Sequence, residues 1–317
     1  MSESPLLSRF FTEVESGAAR NELAYSTAVL DQLDGDDRLR AIAFLLARAD
    51  TGDIRAVETL GIAGRRESVA ALRGLSKRAG DLGASAARAV LDVEQRIGVS
   101  GEDPAMVQRI AESAAGAGSL GSAMAAHRLR FTGGQAAVDG LIEALSSPFD
   151  STRANANLGL RDRLGLAPLI EPRQAPLFAL QMRLLCDLEA VWRPAAQTLQ
   201  SRIRGLVQGA APAELGLNYK RESAPEDIAA FWASADDPST PWNLEARGRL
   251  RGHDLQWADA YLLAKTWDRE DTPKALVGLN IAGTRAALAE AAARVKLAGF
   301  PNPWRDALEQ LDTLKEA

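Results

Sequence analysis

The chain has 317 residues and carries 37 Lys and Arg against 42 Asp and Glu, a formal net charge of -5, so no long-range field draws it to DNA, RNA or anionic lipid. Its single cysteine, Cys186, excludes an internal disulfide and a cysteine cage for a metal. With 46% hydrophobic residues but only 5% aromatic ones, and with Ala and Leu supplying much of the apolar content, the composition is that of a helix-rich soluble protein.

The N-terminal "MSESPLLSRFF" has no basic stretch followed by an apolar one, and "AIAFLLA" (41–47) is too short to span a bilayer. The expectation is a cytoplasmic protein without a membrane segment. Apolar residues then recur at three- and four-residue steps along most of the chain, while alternating β-branched runs are missing. The spacing predicts an all-α fold with helices at 5–16, 22–33, 37–49, 53–63, 67–79, 83–97, 103–115, 120–131, 135–147 and 150–165. Between them "AGRRES" (63–68), "AGDLGAS" (79–85), "TGGQ" (132–135) and "SSPFDS" (146–151) act as stops. Helices joined by such short links lie antiparallel, and pairs repeating every 30 to 45 residues or so describe an α-solenoid of stacked antiparallel helix pairs.

Three segments carry a family resemblance: "DDRLRAIAFLLARA" (36–49), "AVETLGIAGRRESVAAL" (56–72) and "AAVDGLIEALSSPFDSTRANANLGL" (136–160). They resemble HEAT repeats, the bacterial lyase-type variety above all, with Asp37–Arg40 and Asp150–Arg153 at the places of that family's frequent Asp and Arg. The resemblance covers 36–165 and, with fewer matching positions, 272–299. It implies an architecture and transfers no catalytic residue. A further sign of repetition is internal: Val57–Gly80 and Leu276–Gly299 align without gaps, pairing Leu60 with Leu279, Ile62–Ala63–Gly64 with Ile281–Ala282–Gly283 and Arg66 with Arg285.

Pro168, Pro172 and Pro176 at four-residue intervals interrupt the helical pattern. It resumes with "LFALQMRLLCDLEAVW", and Pro194 is expected to start another helix. "GAAPAELGLNYKRESAPED" (209–227) is rich in small and polar residues. The organisation read from these breaks is a HEAT-like array over 1–208, a connector over 209–224 and a C-terminal helical repeat or cap over 225–317, whose closing "RDALEQLDTLKEA" is polar enough to end a stack. A monomer, or a dimer at most, is expected.

No residue set of a known chemistry emerges. His127 and His253 lack a second ligand one helical turn away, and no nucleophile-elbow motif is present. "GAGSLGSAM" (116–124) and "GGQAAVDG" (133–140) lack the Lys–Ser/Thr of a phosphate loop, and the acidic groups at 34–37, 235–237 and 268–271 lack calcium-loop spacing and read as helix caps. No catalytic residue, metal or cofactor is assigned.

Two features remain. Residues 128–204 hold ten Arg, no Lys and seven acidic groups inside an acidic protein, and Arg128, Arg130, Arg161, Arg163 and Arg173 are the candidates to line a groove that grips carboxylate or phosphate. Five of six tryptophans follow residue 230; they form an aromatic core or, through Trp257 and Trp267, a partner surface. The resulting expectation is a non-enzymatic scaffold, an adaptor, assembly factor or immunity protein, that binds a partner protein with an acidic patch on a concave helical face. The alternative is a HEAT-like enzyme acting on a large substrate, such as a DNA glycosylase or a bilin lyase or isomerase.

Overall fold

The computed structural model describes residues 4–16, 24–99, 101–116, 119–166, 176–217, 221–279, 281–295 and 301–316. These residues are all-α, with no strand among them, and no helix is long and apolar enough to cross a membrane. The packing divides the chain into two compact units, 1–144 and 145–317.

The first unit contains α1 (Pro5–Ser16), α2 (Gly35–Asp50), α3 (Ile54–Ala63), α4 (Arg66–Leu75), α5 (Gly80–Arg96), α6 (Pro104–Ala114), α7 (Leu120–Leu129) and α8 (Gln135–Ala144). Most bury one stripe, such as Leu7, Phe10 and Val14 on α1, Ala56, Val57 and Leu60 on α3, or Leu72 and Leu75 on α4, the spacing that puts side chains on one helical face, whereas α5 is buried on all sides from Gly83 to Leu91. Consecutive helices pack, α3 and α4 excepted, and so do alternate ones: α3 lies on α5 and α5 on α7, while α2 meets α4 and α6 meets α8. This is the stacked arrangement expected of antiparallel pairs. Small residues set the approach of α6 and α8, because a Cβ built on Gly140 would stand 2.5 Å from the Cβ of Ala111.

The starts of these helices follow their caps. Asp53 accepts the N–H of Ala56 at 3.3 Å, Asp103 that of Ala105 at 2.9 Å, and Ser119 and Ser122 form a reciprocal capping box on α7. The expected helix at 22–33 is not formed in its described part, which holds only a short 3-10 turn, Leu30–Gln32. Tertiary anchoring overrides the periodicity: the Tyr25 backbone N–H donates to Thr59 Oγ1 at 2.8 Å and its phenol to Asp53 at 2.6 Å, which lays the segment along α3.

The second unit contains α9 (Asp150–Arg163), α10 (Pro176–Leu184), α11 (Glu189–Val207), α12 (Pro225–Asp236), α13 (Leu244–Arg249), α14 (Gly252–Ala264), α15 (Thr272–Val277), α16 (Thr284–Arg294) and α17 (Pro303–Glu316). Here helices far apart in sequence pack together: α10 against α14 and α11 against α16. They enclose an aromatic core in which Phe231, Trp232, Trp242 and Trp257 are buried beside Leu262, Leu276 and Leu288. Residues 145–208 thus share a compact unit with 225–317, whereas the sequence breaks placed them with the preceding array. Pro194 does not begin a helix either. The Glu290 carboxylate accepts the N–H groups of Glu189 and Ala190 at 2.9 and 2.7 Å and fixes the start of α11 one turn earlier, leaving Pro194 inside it.

The internal echo is half structural. α4 and α16 begin within one residue of matching positions and bury matching residues, Ser68 and Leu72 in one and Ala287 and Ala291 in the other. The preceding helices differ, since α3 runs to Ala63 while α15 ends at Val277. Leu60 is therefore fully buried on a helix, and Leu279 is half-buried in a turn rather than on a buried helix face.

Candidate functional site

Several arginines of this chain serve its own backbone. Arg38, buried one turn into α2, donates to Leu30 O at 2.7 Å and Ala63 O at 2.6 Å. Arg96 donates to Gly64 O at 2.8 Å and Gly61 O at 2.5 Å. Arg269 donates to Ser234 O at 2.8 Å and to Thr240 O, and lies 4.0 Å over the Trp242 ring. Arg153 is 1% exposed and gathers four carbonyls, Leu184 O at 2.7 Å, Ser147 O at 2.9 Å, Pro148 O at 3.0 Å and Cys186 O at 3.1 Å, with its guanidinium 4.4 Å over Trp192. A planar fork with five donors can satisfy several carbonyls at once, which an ammonium cannot. Burial lowers the pKa values of Arg38 and Arg153. Arg153 is accordingly a backbone clamp and not the partner of a cap at Asp150.

The residues singled out from the sequence are distributed over both units. Arg128 is only 13% exposed at its side chain; its Nε lies 3.1 Å from Asp92, and its Nη2 lies 4.0 Å from Glu102 and 3.4 Å from Gln95. Arg130 lies 5.4 Å over the ring of Phe131. Arg161 is paired with Asp162 at 3.4 Å, Arg163 is half-buried, and Arg173 lies outside the described residues. Trp257 is 3% exposed, inside the core and against Trp232. Trp267 is half-buried and stacks on Trp304 at 5.0 Å, with Arg294 over its ring. Trp257 is thus a core residue, and of the pair only Trp267 reaches the surface.

Within the first unit, the ends of α5 and α7 frame a groove of about 200 Å³. Leu91, Glu94 and Gln95 come from α5, Val99, Gly101 and Glu102 from the α5–α6 link, and Arg128 and Phe131 from the end of α7. Phe131 is 64% exposed and Val99 45%, and His127 meets the Phe131 ring edge-on at 5.3 Å. Among the described residues, no group of three His, Cys, Asp or Glu is placed to hold a metal.

Comparison with protein-family models, with curated proteins and with solved structures finds no match.

The charges beside the groove are paired within the protein. Arg73 grips Glu94 at 2.6 Å and also Asp103, whose carboxyl falls below its usual range: partial burial works against this but is outweighed by the N–H of Ala105 and by Arg73. Glu102 accepts the Gly133 N–H at 2.5 Å. Burial pushes the Asp92 carboxyl up, opposed first by Arg128, while Glu58 adds to the rise. With these charges matched internally, the groove offers Phe131 and Val99 as its exposed apolar contacts. Neither is marked by the sequence, because Phe131 stands directly before the "TGGQ" stop and Val99 beside a turn. A single aromatic at a helix end carries no periodic signal.

Proposed function

We propose that this protein is a non-catalytic interaction scaffold of HEAT-like construction, whose first unit holds a partner protein at the groove between the ends of α5 and α7. The observation that carries the reading is the exposure of Phe131 at 64% beside Val99, among charged groups already paired with one another. Aromatic side chains anchored in well-packed frames commonly dominate interface energetics. The partner would contribute an apolar side chain to this groove. An acidic patch is the weaker expectation, since Arg128 is already matched by Asp92 and Glu102.

Affinity capture from lysate of the source organism tests this, using wild-type protein, Phe131→Asp and Leu314→Asp as a control at an exposed apolar site in the second unit. The reading expects a partner retained by the wild type and the control and lost by Phe131→Asp, with the three melting temperatures alike. Retention of the same partner by Phe131→Asp would move the interface elsewhere.

A further inference from the structure

Helices α3, α5 and α7 lie side by side in one layer of the first unit and run in the same direction. Arg88 of α5 meets Glu58 of α3 and Met124 of α7; later in α5, Arg96 reaches Gly61 O and Gly64 O at the end of α3, and Asp92 pairs with Arg128 near the end of α7. These contacts mark one face of the layer. Ile62 stands one turn after Glu58 and Phe131 two turns after Met124, so both fall on that face, and Val99 lines the groove with Phe131. All three are large apolar side chains in solvent, Ile62 at 56%, and each stands at or just beyond the C-terminal end of its helix. Single exposed apolar residues are ordinary, whereas an aligned set on one face marks an interaction surface.

The row also has a scale and a sign. Packed helices lie about 8–10 Å apart, and an α-helix advances about 10.5 Å over seven residues, so a partner helix of about 15 residues laid across the layer meets one apolar contact every second turn. Between those contacts the ion pairs turn their carboxylates outward. The Asp92 side chain is 43% exposed and that of Arg128 13%, and Glu58 and Glu102 likewise stand further out than Arg88 and Arg128. Of the neighbouring cations, Arg96 is bound to the carbonyls of Gly61 and Gly64, and Arg130 lies over the Phe131 ring. The C-terminal ends of the three helices add the negative ends of their dipoles.

We propose, on the reading that a partner sits at Phe131, that it docks there through a basic amphipathic helix laid across the ends of α3, α5 and α7. Its apolar residues rest on Ile62, Val99 and Phe131, and its Lys or Arg residues stand over Asp92 and Glu102. An acidic helix would meet the outward carboxylates with like charge.

A random library of peptides of about 16 residues, long enough to cover the row, is displayed on phage and selected on the immobilised full chain, with Phe131→Asp for counter-selection. The enriched peptides are then titrated by fluorescence anisotropy. The proposal expects Phe131-dependent peptides with apolar residues at seven-residue spacing and Lys or Arg between them. Ile62→Ser should weaken them about tenfold, whereas Leu120→Ser, equally exposed but at the opposite end of α7, should leave them unchanged. Asp92→Asn combined with Glu102→Gln should weaken them about fivefold at low salt, a difference that vanishes at about 1 M salt, where exposed charges are screened. Phe131-dependent peptides that are acidic or uncharged, or that ignore Ile62→Ser, would overturn the basic helix while keeping a partner at Phe131; an absence of Phe131-dependent peptides would overturn both. The peptides selected on wild type decide the charge even if the double variant fails to fold.

Discussion

Arg153→Ala tests whether the arginine-rich stretch is structural. The side chain is 1% exposed and makes four bonds to carbonyls at 2.7–3.1 Å, each from a charged donor, and such bonds contribute about 1.5–3 kcal/mol apiece. Most of that gross gain is offset by the cost of holding the guanidinium out of water, several kcal/mol after relaxation. Removing the group returns the desolvation cost but leaves four carbonyls short of a donor and a void over Trp192. The balance predicts a loss of about 3–5 kcal/mol, the range seen when a buried charge partner is deleted. Arg153→Lys, with its donors on one nitrogen, should recover part of it and still lose about 2 kcal/mol. Urea unfolding followed by far-UV circular dichroism and tryptophan emission reads both, with Arg193→Ala, exposed in an i,i+4 pair with Glu189, as a surface control expected within about 0.5 kcal/mol of wild type. An Arg153→Ala protein as stable as that control would refute the clamp.

Glu290 supplies a pH prediction. Its burial works against ionisation, but the N–H groups of Ala190 and Glu189 and the Arg294 guanidinium hold its carboxyl below the usual value. A folded pKa below the unfolded one gives stability that is present above the unfolded value and is lost as pH falls through the folded value. Stability measured between neutral pH and pH 3 should therefore fall more steeply in wild type than in Glu290→Gln; parallel curves would contradict the cap. Leu60→Asp should destabilise by about 3–5 kcal/mol, because it buries a carboxylate on a fully buried helix face. Leu279→Asp, in a half-buried turn, should cost only about 1 kcal/mol, and equal melting temperatures for the two would restore the full repeat.

Helix positions were legible wherever a stop residue and a periodic stripe agreed: α3, α5, α6 and α9 start and end within a few residues of the expectation. The stripe at 22–33 misled because Tyr25 meets partners 28 and 34 residues away, which no local pattern records. The start of α11 depends on Glu290, about a hundred residues later, a partner that the local signal of Pro194 does not contain. Arginine content was visible, but its use was not, because a guanidinium that serves carbonyls and one that faces solvent look alike in a linear chain. The tryptophan cluster was legible as a core, since Trp257, Tyr261 and Ala264 follow helical spacing. The groove at Phe131 escaped because its walls come from the ends of two helices and a link.

Whether a partner protein sits on Phe131 is decided by photocrosslinking in living cells from a benzoylphenylalanine placed at position 131, with position 314 as the exposed control. The account predicts one discrete protein adduct from 131, suppressed when Val99→Asp is added, and none shared with 314. No adduct at 131, or the same adducts from both positions, would contradict it.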